Sequence, residues 1–156
     1  MSSQPGRRLL GRRRGRGRCA RPTVLTLVAP SGEPVTLAAQ LCYLAADPYA
    51  VHLDCEAAPG AAVVRWTFAR ELLVTGLRER AGIGDVRIFP PGVGDPEHLV
   101  MVLCGVESSA LLLAPVADVE DFLAAAERLV PTGSEHRHLG VDRLPSDLRR
   151  PPGARP

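Results

Sequence analysis

A chain of 156 residues, 46% of them hydrophobic, is one ordinary domain long enough to bury a real core, with tails. Its net charge of +2 conceals an asymmetry: Arg7, Arg8, Arg12, Arg13, Arg14, Arg16, Arg18 and Arg21 all precede the first acid, Glu33. Taking those eight from the 19 basic residues leaves 11 against 17 acids, a body near −6 that is a poor nucleic-acid surface unless its arginines cluster.

Residues 1–22 read as a disordered Arg-rich arm, because Gly and Arg alternate and like charges repel. Val24 to Ala29 is β-branched and apolar, and Ser31-Gly32-Glu33-Pro34 turns the chain into a second strand, Val35 to Leu44. Asp47-Pro48 marks the next turn, since the residue before Pro is pushed out of the helical region. Val51 to Glu56 alternates, with Val51, Leu53 and Cys55 on one face and His52, Asp54 and Glu56 on the other. Pro59-Gly60 leads into Val63 to Phe68, where Trp66 and Phe68 share a face as core anchors. Ala69 to Leu77 reads as a short helix with Gly76 as its stop.

Val86 to Phe89 is a strand followed by a Pro/Gly-rich loop to Pro96, and Leu99 to Val106 and Ala110 to Ala114 flank a turn at Glu107-Ser108-Ser109. A second helix follows, with Asp118 placed to cap it. Val119, Phe122, Leu123, Ala126, Leu129 and Val130 recur at helical spacing, and Pro131 ends it. Arg149 to Pro156 reads as a disordered tail. Six or seven short strands with two helices predict an antiparallel-rich α+β domain.

Chemistry-bearing constellations are thin. Glu135-His136-Arg137-His138 would put both histidines on one face of a strand, but a third and fourth metal ligand are missing. Cys55 and His52 fall on opposite strand faces, so they form no dyad, and Gly82-Ile83-Gly84 lacks the strand and helix of a phosphate loop. No Cys-x-x-Cys pair occurs among Cys19, Cys42, Cys55 and Cys104, and no apolar run reaches the ~20 residues of a membrane span. These features predict a cytoplasmic protein without cofactor or metal that is not an enzyme. Arg65, Arg70, Arg78 and Arg87 form the one locally basic stretch of the body and are the candidate partner-binding residues.

Four blocks in register carry a family resemblance: Ala46-Asp47-Pro48-Tyr49-Ala50-Val51-His52, Trp66-Thr67-Phe68-Ala69-Arg70-Glu71-Leu72-Leu73, Gly82-Ile83-Gly84-Asp85-Val86-Arg87, and Thr132 to His138. In this order and with these gaps the chain resembles the SsgA-like family of sporulation and cell-division regulators of filamentous actinobacteria. The resemblance runs from about Val24 to Leu148 and bounds a domain at residues 23–148. It makes Asp47, Pro48, Tyr49, Trp66, Phe68, Gly84, Asp85, His136 and His138 signature positions of structure. It implies a whirly-like fold, homo-oligomers of trimeric type, and a non-enzymatic regulator of septation. Such a regulator acts at the cell septum through contacts with the tubulin-like division protein FtsZ, or with another SsgA-like protein. The alternative is a whirly-like nucleic-acid-binding module using the Arg-rich arm non-specifically, but the chain has few aromatics to serve as stacking platforms.

Overall fold

The computed structural model describes residues 16–139. Seven antiparallel strands form a single sheet in the order β4-β3-β2-β1-β7-β6-β5. They are β1 (Arg18–Val28), β2 (Pro34–Leu44), β3 (Ala50–Glu56), β4 (Val63–Ala69), β5 (Val86–Phe89), β6 (His98–Cys104) and β7 (Ser109–Pro115). Helix α1 (Arg70–Gly76) follows β4 directly, α2 (Val116–Leu129) follows β7, and a 3-10 turn spans Glu135–Arg137. The expected antiparallel-rich α+β architecture is the one observed. Residues 1–15 of the expected arm, 140–148 of the expected domain and the C-terminal tail lie outside the described residues.

Strand alternation places the core. Leu25, Leu37, Leu41, Tyr43, Val51, Leu53, Ile88, Leu99, Met101 and Leu112 are buried on the inner face, where α2 lays Val119, Phe122 and Ala126 against them. Helix α2 packs mainly on β1 and β7, so it closes the middle of the sheet while α1 bridges the edge strands β4 and β5. No helix of the described residues is long and apolar enough to cross a membrane.

Three local expectations are corrected. Strand β1 begins at Arg18, not Val24, and its register with β2 runs unbroken from Arg18↔Leu44 to Val28↔Pro34. The domain therefore starts earlier than residue 23, and the end of the expected arm is sheet. Pro22 is tolerated there because β7 pairs only with Thr26, Leu27 and Val28, leaving the first half of β1 with one neighbour and no ladder to break on its other side. Asp118 is not the cap of α2. It sits inside the first turn and accepts a hydrogen bond from Thr23 Oγ1 at 2.6 Å, tying the helix to β1, while Pro115 holds the cap position. Gly76 stops nothing by a left-handed turn. It is the buried last residue of α1, and a Cβ there would lie 2.4 Å from Ile88 Cγ2, so its smallness is what lets α1 seat on β5.

Candidate functional site

Strand β4 alternates Trp66, Phe68 and then Arg70 onto the inner side, and the chain enters α1 at that arginine. Arg70 is consequently only 5% exposed. Its Nη1 donates to Tyr43 Oη at 3.0 Å and to the Val130 carbonyl at 2.8 Å; its Nη2 donates to Thr132 Oγ1 at 2.8 Å and pairs with Glu127. The guanidinium also lies 5.3 Å from the centroid of the Tyr43 ring. Tyr43 in turn donates to the Pro48 carbonyl at 2.8 Å, and the Arg70 backbone N–H donates to the Tyr49 carbonyl at 2.8 Å.

One buried cation thus joins β2, the Asp47-Pro48-Tyr49 turn, the start of α1, the end of α2 and the segment after it. A buried charge is tolerated only when paired and hydrogen-bonded, and here the acceptors come from two distant parts of the chain, Tyr43 on β2 and the stretch from Glu127 to Thr132. Glu127 is the complement. It accepts from the Thr132 backbone N–H at 3.0 Å and from Thr132 Oγ1 at 2.7 Å, and those bonds, reinforced by Arg70, hold its carboxyl below the usual carboxylate range.

Above this node the surface dips into a shallow cleft of about 260 Å³, lined by Pro48, Tyr49, Ala69, Arg70, Glu71, Val74, Thr75, Thr132 and Glu135. Tyr49 is 52% exposed and Val74 40% exposed, so the rim presents apolar surface to solvent. Glu71 is exposed and Glu135, whose Oε2 accepts the Gly133 N–H at 2.7 Å, is partly so. Arg70 forms the floor with both terminal nitrogens already committed.

The remaining candidates do not assemble around it. Arg65 lies on β4 and is bound in the open to its cross-strand neighbour Asp54, at 2.7 Å from Nε to Oδ1. That bidentate contact, first of all its hydrogen bonds, holds the Asp54 carboxyl below its ordinary value. Arg87 lies on β5, at the far end of the strand order from β4, and is half-buried with Nη2 3.4 Å from Cys104 Sγ. Arg78 is exposed after α1, and Arg80 stacks over Phe89 with 5.4 Å to the ring centroid. The expectation that Arg70 is an exposed docking side chain is corrected: the alternation that buries Phe68 buries the arginine two residues later.

The signature positions are spread over several places. Pro48 and Tyr49 line the cleft at the Arg70 node, while Phe68 and the partly buried Trp66 belong to the core on the strand that leads into it. Gly84 and Asp85 belong to the tight turn before β5, where the Asp85 carbonyl accepts the Cys104 N–H at 2.7 Å. His136 and His138 are exposed on and just after a 3-10 turn, not on a strand, so the shared face expected of them does not form. Asp47 lies 3.9 Å from His52 Nε2, whose Nδ1 meets Thr67 Oγ1 at 2.9 Å. Cys55 points into the core, where burial pushes its thiol up to about 11.

The match to known proteins falls on this framework. The family model described as "Streptomyces sporulation and cell division protein, SsgA" covers residues 37–135, from the middle of β2 to the 3-10 turn. The chain belongs to the SsgA family. Among its relatives, the sporulation-specific cell division protein SsgB of Salinispora tropica is 44% identical over 122 residues, covering 77% of this chain and 85% of that protein. SsgB of Streptomyces coelicolor is 40% identical over 118 residues, covering 76% and 85%. The SsgA-like sporulation-specific cell division protein of Thermobifida fusca has a crystal structure that superposes with a TM-score of 0.74 at 32% identity, covering 86% of this chain and 96% of that one. An SsgB structure described with mutations that correlate to longitudinal cell division in Streptomyces coelicolor gives a TM-score of 0.71 at 38% identity, covering 79% and 94%. The SsgA family is one of sporulation and cell division, and this chain is a sporulation-type cell division protein of that family with its fold.

Proposed function

We propose that the chain is a non-enzymatic adaptor of sporulation septation, which acts at the septum by holding a protein partner such as FtsZ or another SsgA-like protein. The observation that carries this reading is the Arg70 node. Two of the four family blocks and the start of a third are spent on fixing a cleft from beneath, with their donors and acceptors satisfied inside the protein. Preorganised backing of an exposed apolar rim suits recognition, because a rigid surface loses little entropy on docking. Arg78, exposed beyond the same helix, and Arg65 stay in the proposal as partner contacts outside the cleft; Arg70 acts only as the support.

The test is complementation of a deletion strain, scored by septum number and by FtsZ ladders in aerial hyphae. Tyr49→Ala combined with Val74→Ser removes rim surface from exposed positions, so stability should change by no more than about 0.5 kcal/mol per site. The folded variant is expected to fail to restore septa. Full complementation by it excludes the cleft as the partner surface.

Self-association is the second part of the proposal, as the trimer that SsgA-like resemblance implies. Support comes from the outer face of the sheet. Cross-strand pairs there match Phe89 with Val100, Val100 with Leu113, and Val102 and Val28 with Leu111. Leu111 is 38% exposed and the others are only half-buried, giving an apolar strip across β5, β6, β7 and β1 opposite the helices. Apolar surface of this extent, with the half-buried Arg87 paired into it opposite Val102, fits a second copy of the chain. Light scattering of the full chain should show an oligomer that Leu111→Arg dissociates. A wild-type monomer throughout the concentration range excludes this arrangement.

A further inference from the structure

We infer that the Tyr49–Val74 cleft takes a basic segment of its protein partner, an apolar side chain flanked by Arg or Lys, and not the acidic segment that a basic patch would select. This rests on the reading of the cleft as a partner surface and assigns its chemistry. The sign of the charge follows from the bookkeeping of the node. Arg70 is the only cation in the lining, and it is already matched by Glu127 and by three neutral acceptors. That leaves Glu71 on the first turn of α1 and Glu135 on the 3-10 turn as the two carboxylates among the lining residues, on walls built by separate elements.

Between those walls the surface is apolar, from the Tyr49 ring to Val74, with Ala69 beneath. A cleft of about 260 Å³ falls below the roughly 300–1,000 Å³ of sites that engulf a metabolite, and it suits an anchoring side chain from a longer ligand. An apolar anchor desolvates against Tyr49 and Val74 while flanking cations meet Glu71 and Glu135 at the wet rim. There the charges contribute selectivity and association rate more than affinity. An acidic ligand would set its charge against both carboxylates and find both terminal nitrogens of Arg70 already engaged. A nucleic-acid strand is disfavoured by the same two groups.

The experiment is an amide-shift titration of the isotope-labelled full chain with two synthetic peptides, acetyl-Gly-Arg-Leu-Arg-Gly-amide and its counterpart with Glu in place of both Arg. The basic peptide should move the Tyr49, Val74 and Thr132 amides, and added salt should weaken the effect. The acidic peptide should leave them in place. The Glu71→Gln, Glu135→Gln double variant keeps an oxygen acceptor for the Gly133 N–H and should lower affinity for the basic peptide about three- to tenfold, as two exposed charge pairs allow. No cleft shift with the basic peptide, equal shifts with both peptides, or unchanged affinity in the double variant each overturns the assignment. If the Tyr49→Ala, Val74→Ser variant fails to restore septa while this titration is negative, the partner surface stands and only its charge preference falls.

Discussion

Arg70→Glu should lower the thermal midpoint by roughly 10–20 °C, equivalent to about 3–5 kcal/mol for a domain of this size. The reason is the number of groups that the guanidinium satisfies. Without it, the Val130 carbonyl and Tyr43 Oη lose their donor, and the introduced carboxylate faces Glu127 at the place where a cation was matched to it. Breaking one partner of a buried pair costs far more than the pair itself contributes, because the other groups stay behind desolvated. Arg70→Lys should fall between, since a point-like ammonium cannot reach acceptors on both edges of a planar fork. Acid should narrow the gap between wild type and Arg70→Glu. The folded-state pKa of Glu127 is depressed, so its contribution in the wild type is complete above the unfolded value of about 4.3 and is lost as pH falls through the folded value. Thermal melts at neutral pH and below pH ~4 measure both effects. An Arg70→Glu protein that melts with the wild type at neutral pH would show that the arginine is not a structural node.

Such an outcome would also restore the simplest reading of the sequence, in which an arginine beside Glu71 at a helix start is a solvated side chain. The information against that reading was present in the chain. Trp66 and Phe68 alternate onto the core side, and continuing the same period of two by one step puts residue 70 there as well. Apolar residues alone carry the period only to Phe68, because arginine is rarely buried without partners. Its partners, Tyr43, Glu127, Val130 and Thr132, lie 27 to 62 positions away, and no local pattern announces them.

Elements built from their own residues were legible. The sequence pattern of β5 matches its strand at both ends, that of β3 to within one residue, and the apolar stripe of α2 lies buried or half-buried on the sheet as its spacing requires. Elements built from pairing were not. Arg18 to Pro22 have the composition of a repelling tail, and they are strand because the buried half of β2, Leu41 to Tyr43, supplies the ladder. Asp118 looked like a cap from its neighbours in sequence, yet its hydroxyl donor comes from Thr23, 95 positions away. The cleft is a product of the same long-range contacts: its lining joins a turn, a helix and a 3-10 segment that no stretch of sequence brings together.

Glycines in the turn before β5 separate fold from family pattern in a second test. Gly82 has φ +87°, a conformation that L side chains rarely adopt, and a Cβ there would lie 2.3 Å from the Val86 carbonyl oxygen. That oxygen cannot yield easily. Val86 is in register with Leu103, and Ala81 exchanges two hydrogen bonds with Ile88 at 2.9 Å, closing the turn on both sides. Gly82→Ala therefore combines left-handed strain with a backbone collision and should cost about 2–4 kcal/mol. Gly84 has neither burden: its φ lies outside the left-handed region and a Cβ would meet nothing within 4 Å. Gly84→Ala should stay within about 0.5 kcal/mol of wild type in the same denaturant titration. The comparison decides what the Gly-Ile-Gly block does. If only Gly82→Ala destabilises, the first glycine folds the turn, and the second is left open, beside the fully exposed Ile83, to be read by whatever meets that corner of the protein. Equal losses at both positions would instead make the whole block a device of folding alone.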